Sequence, residues 1–136
     1  KYTGWGILGN TFSQISKRLR LIKLFNHLRF EYLGVAFADQ GIFFERRQLD
    51  LHQGLPRLKL MEDIEISLRL GEYNRARFLK PLLESSTRRW RQKSYWGNTT
   101  QVFRLFFSYL FFRRLGTNLD TLTERMYQDY YCSDKR

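Results

Sequence analysis

Apolar residues recur along the first part of the chain at helical spacing. Leu8, Phe12, Ile15, Leu19, Ile22 and Phe25 follow one another at steps of four, three, four, three and three. Such steps line one face of a helix. They predict a single helix over residues 7–30, with Lys17, Arg18, Arg20 and Lys23 mostly on its other faces. Gly34 and Gly41 then punctuate "GVAFADQGIFFERRQL". Within it "GIFF" has the aromatic, extended character of a strand, and residues 46–52 have room for one or two helical turns. "QGLP", residues 53–56, reads as a turn, because Pro56 cannot continue a helix and holds Leu55 extended.

Helical spacing resumes at Met61, Ile64 and Leu68, with Gly71 as the stop. Glu62, Asp63 and Glu65 then fall in the first turn, where the partial positive charge of a helix N-terminus favours carboxylates. That does not explain why Asp63 stands beside the apolar pair Leu60–Met61 with no lysine four residues on. "RFLKPLL", residues 77–83, predicts a strand with Pro81 at an end or a bulge. Residues 86–96 read as a basic, aromatic loop. Residues 99–115 predict an amphipathic helix with Val102, Leu105, Phe106, Tyr109, Leu110 and Phe112 apolar. Thr117 and Asp120 have the spacing of a capping box that opens a last helix. The predicted order is helix, strand, short helix, helix, strand, helix, helix. This is an α/β or α+β layer whose few strands leave an unpaired sheet edge.

Composition narrows the picture. The chain has 136 residues, 43% of them hydrophobic and 17% aromatic, which is one domain's length and too apolar for a disordered chain. Cys132 is the only cysteine, so no internal disulfide forms. His27 and His52 have no partner cysteine at metal-ligand spacing. The first residue is Lys1, no signal-peptide pattern follows it, and the chain reads as trimmed or internal. The net charge of +11 is uneven. Residues 1–40 and 85–136 are basic, while residues 41–84 hold eight Lys/Arg against seven acids. Basic ends with interleaved aromatics suit a polyanion: a nucleic acid, a phosphate-bearing substrate or an anionic membrane.

Motif order adds a resemblance. "DQGIFFERRQLDLHQGLPRLKLMEDIEISLRL", residues 39–70, resembles the acceptor-side half of family 2 glycosyltransferases. It is most similar to a bacterial subgroup that runs "DQGIF-R", a Gly-Phe-Pro turn, then "LMED-E-S-RL". "TRRW", residues 87–90, and "LFFRRLG", residues 110–116, are similar to later elements of that subgroup, so the likeness extends from about residue 20 to residue 131. The turn departs from the pattern as "HQGLP", and "GEYNRARF", residues 71–78, is less apolar than usual. No Asp-x-Asp occurs in residues 1–136.

The resemblance implies an α/β fold, a partial GT-A (Rossmann-like) sheet with flanking helices. Residues 1–136 would form one domain, the acceptor-side half, with the nucleotide-binding half absent. It implies transfer of a sugar from a nucleotide-diphospho-sugar to an acceptor hydroxyl with inversion. Asp63 would be the catalytic base with Glu62 in support. Asp39, Gln40, Gly41, Arg89 and Trp90 would bind substrate. An arginine fork suits phosphate oxygens and a tryptophan offers a stacking face. A divalent metal, Mg or Mn, is expected only in the complete enzyme and on no residue of this chain. The chain alone would be inactive, and its setting cytoplasmic or membrane-associated. Helix 99–115 is too short to span a bilayer. It suits either the membrane interface, through Arg113 and Arg114, or burial against the sheet or a second copy. The competing reading is a non-catalytic basic module that binds nucleic acid or an anionic membrane. Nucleic acid is the weaker partner, since no known recognition motif is present and the middle third is nearly neutral.

Overall fold

The computed structural model describes residues 4–12, 17–51, 54–80, 83–85 and 95–131. The elements in chain order are β1 (Trp5–Ile7), β2 (Asn10–Phe12), α1 (Lys17–Leu33), a 3-10 turn (Ala38–Gln40), β3 (Ile42–Phe44), α2 (Arg46–Leu51), α3 (Glu62–Gly71), β4 (Arg77–Phe78), β5 (Leu83–Ser85), α4 (Tyr95–Arg114) and α5 (Leu119–Tyr131). The fold is mixed α/β. Two compact units divide it: Lys1–Leu55 with Asp63–Arg88, and Pro56–Glu62 with Arg89–Arg136.

In the first unit β1 is the central strand of a three-stranded sheet ordered β3-β1-β4. It runs antiparallel to β3, with Trp5 opposite Phe44, and parallel to β4. A second sheet pairs β2 with β5 in parallel. The core gathers Trp5, Ile7, Phe30, Ala36, Ile66 and Leu70. Trp5 meets Phe30 edge-on at 6.2 Å between ring centroids, and its indole N–H donates to the Asn74 carbonyl at 2.8 Å. Gly6 lets β4 approach, because a Cβ there would strike the Arg77 carbonyl. In the second unit α4 packs with α5. Leu105, Phe106 and Tyr109 of α4 and Thr123 and Met126 of α5 are buried.

Several sequence expectations are corrected. Residues 7–12 are not helix. β1 and β2 occupy them, separated by Gly9 at φ +72°, and the helix begins by Lys17. The helical spacing of Leu8 and Phe12 is therefore coincidental. The single strand expected at 77–83 is two short strands in different sheets. α5 is capped by Asn118, whose Oδ1 accepts from the Thr121 N–H at 3.1 Å, rather than by Thr117. The strand at "GIFF", the short helix after it and the helix from Glu62 to Gly71 are as read.

Candidate functional site

The segment after α1 explains what the acidic stretch does. Gly34 ends α1 in the left-handed region, at φ +63°, and the chain then runs extended. Three successive backbone N–H groups there are each taken by a side chain. Ala36 N–H donates to Ser67 Oγ at 3.1 Å. Phe37 N–H donates to Gln40 Oε1 at 2.9 Å. Ala38 N–H donates to Asp63 Oδ2 at 2.9 Å. The spacing matches across the two elements. Residues 63 and 67 lie one turn apart on α3, about 6 Å along its axis, and residues 36 and 38 of an extended chain are separated by nearly the same distance. α3 thus clamps the segment at two rungs. Met61, just before the helix, adopts φ +65°, a left-handed conformation that a side chain adopts at a cost.

The three acids of this stretch have separate fates. Glu62 is exposed. Glu65 is buried, with Arg69 Nε donating to its Oε1 at 2.7 Å. Asp63 is half-buried, and its Oδ1 accepts from the Ile64 N–H at 2.9 Å. Its partner is the backbone of the preceding segment, which is why no lysine stands four residues on.

Behind the segment lies Arg29 of α1, 2% exposed. Its guanidinium donates through Nη2 to Gln40 Oε1 at 2.6 Å, through Nε to the Val35 carbonyl at 3.1 Å and through Nη1 to Asn26 Oδ1 at 3.4 Å. It also stacks on the Phe37 ring, 3.4 Å from the centroid. Burial lowers the Arg29 pKa to about 10, with Asp39 and Asp63 pulling it back up. It is charged at neutral pH and is the counter-ion of both carboxylates.

Gln40 is buried and braces the turn from behind. Gly41 closes the turn at φ +63°, its N–H donating to the Ala38 carbonyl, so its part is conformational. Asp39 is left at the surface, with Asn10 Nδ2 donating to its Oδ2 at 2.8 Å. Asp39, Gln40, Gly41 and Asp63 therefore meet in one place, joined by Asn10 and Arg29, neither of which the sequence singled out. Arg89 and Trp90 lie outside the described residues.

Partial burial of its carboxyl raises the Asp39 pKa, nearby Asp63 adds to the rise, and Arg29 and Asn10 oppose it. A carboxyl raised by folding is most stabilising to the fold when protonated. Its contribution is complete below the unfolded value of about 3.9 and is lost as pH climbs through the folded one. Asp39→Asn keeps an oxygen for Asn10 and removes the charge. The variant should melt above the parent at pH 7, and the gain should vanish at pH 3.

Among the described residues no three His, Cys, Asp or Glu side chains cluster as metal ligands. Two adjacent carboxylates over a buried arginine can accept hydrogen bonds from ligand hydroxyls and take up a proton. No family model, curated protein or solved structure matches the chain.

Proposed function

We propose that the Asp39–Asp63 cluster is the acceptor side of a sugar-transferring site in a partial GT-A fold. One observation carries the reading. The two motifs that give the chain its glycosyltransferase likeness, "DQG" and "LMED", converge through the Ala38 N–H to Asp63 Oδ2 bond. In this reading Asp63 takes the proton of the acceptor hydroxyl as that oxygen attacks the anomeric carbon. The nucleoside diphosphate leaves from the opposite face, so the configuration inverts. Each Asp63 oxygen accepts one backbone N–H and keeps one lone pair free for that proton. The carboxylate is thus held in one orientation before substrate arrives.

Asp39 accepts hydrogen bonds from sugar hydroxyls, while Arg29, Gln40 and Gly41 hold the turn that presents it. Glu62, next to the base, supports it from the helix start. The resemblance assigns Arg89 and Trp90 a phosphate fork and a stacking face. No Asp-x-Asp that would hold a Mg or Mn ion occurs within residues 1–136.

A second assignment exchanges the two acids. Asp39 is the more exposed, and burial raises its carboxyl above the ordinary carboxylate value, as suits a base. Titration of the chain with methyl glycosides, followed on backbone amide signals, tests the binding role. Saturable shifts at Ala38, Asp39 and Ile64 are expected, with dissociation constants on the order of millimolar. Shifts confined to other residues would remove the sugar-binding role.

A further inference from the structure

α4 is apolar on both faces. One face carries the buried Leu105, Phe106 and Tyr109. The opposite face should then be polar, as on an ordinary surface helix. It instead exposes Phe107 at 57% and Phe111 at 61%, with Leu115 at 64% just beyond the helix end. Phe103, Phe107, Phe111 and Leu115 recur every four residues, so they form one slanted stripe. Arg104 and Arg114 are exposed on the same side, Arg104 within about 20° of Phe111 around the axis. The helix contains no Asp or Glu anywhere in Tyr95–Arg114. A patch of this kind marks an interaction surface.

We propose that this face of α4 docks on an anionic lipid surface, lying along it with the phenylalanines in the headgroup boundary and the arginines on lipid phosphates. The chemistry of the face selects this partner over the others. A second copy docking through the same face would bring Arg104 and Arg114 against their own counterparts, with no acid on the helix to pair them, in a chain already carrying +11. A nucleic acid would need open ring faces for base stacking. The Phe107 ring is already stacked on Phe103 at 6.2 Å and 15°, with Phe106 edge-on at 5.3 Å. A lipid surface needs only apolar area rimmed by cations, in an element that lies along the membrane. None of the described helices is long and apolar enough to cross one. The inference does not depend on the sugar-transfer reading.

Sedimentation with phosphatidylcholine vesicles, with and without phosphatidylserine, tests it. The chain should sediment with the anionic vesicles and far less with the neutral ones, and added salt should weaken binding. Phe107→Ser with Phe111→Ser, and separately Arg104→Gln with Arg114→Gln, should each cut the bound fraction about tenfold. All four positions are exposed, so an unchanged circular-dichroism spectrum should accompany the loss. Equal sedimentation with both vesicle types would overturn the proposal. So would full binding by the phenylalanine variant. Failure to bind vesicles, with an oligonucleotide bound or a dimer formed through these same residues, would overturn it too.

Discussion

On the assignment proposed above, Asp63→Asn should lower sugar transfer by about two to four orders of magnitude, the usual cost of losing a general base. The amide is nearly the size of the carboxylate. Its oxygen can still accept the Ala38 N–H that ties α3 to the preceding segment. Its nitrogen then faces the Ile64 N–H, a contact within the helix's own first turn that contributes little. The fold should therefore survive, and the loss should fall on turnover rather than on acceptor affinity. Initial rates across acceptor concentrations separate the two, since an unchanged KM with a lowered kcat marks a group that acts in the transition state. A variant that turns over at the parent rate would take Asp63 out of the chemistry and leave it as a clamp.

Arg29→Met should cost the largest amount of stability, about 3 kcal/mol. The substitution fills much of the same space. It leaves the Val35 carbonyl and Asn26 Oδ1 without their donor, and Gln40 Oε1 with only the Phe37 N–H. It also removes a cation that favours the charged form of Asp39. For a chain of this length the loss corresponds to a melting temperature lower by about 10 °C. Arg29→Lys keeps the charge but not the planar fork, and should recover only part of the loss. Urea unfolding gives the number. A cost below about 1 kcal/mol would mean that water replaces the guanidinium at these sites.

The parts of this site visible in the sequence are those with strong local chemistry. "DQG" announces its turn because Gly41 must take a positive φ, and "GIFF" announces the strand after it. The acid-rich start of α3 is legible because helix N-termini favour carboxylates. What local pattern cannot carry is the pairing between elements. Asn10 reaches Asp39 across 29 positions, from a three-residue strand too short for any period to register. The glycines at 4, 6 and 9 were the available signal against a helix there. Arg29 was hidden for a different reason. One arginine on a basic helix looks solvated, yet it shares a face with Asn26 and the core residue Phe30. A polar pair on the apolar face of a helix points to a buried network rather than to solvent.

The stretch "LMED-E-S-RL" has a structural part of its own. Asp63 and Ser67 clamp the extended segment, and Glu65 and Arg69 pair with each other. Part of this motif therefore specifies how α3 seats against residues 36–38. The chemistry proposed for it rests on what that seating leaves at the surface, the carboxylates of Asp39 and Asp63.

Release of nucleoside diphosphate from UDP-glucose, UDP-galactose or GDP-mannose by the complete protein, measured with and without Asp63→Asn, tests sugar transfer at this cluster most directly. Release with at least one donor, dependent on a divalent ion and abolished by Asp63→Asn, is the predicted result. Release that persists in both the Asp63→Asn and Asp39→Asn variants would place the chemistry elsewhere and contradict the assignment.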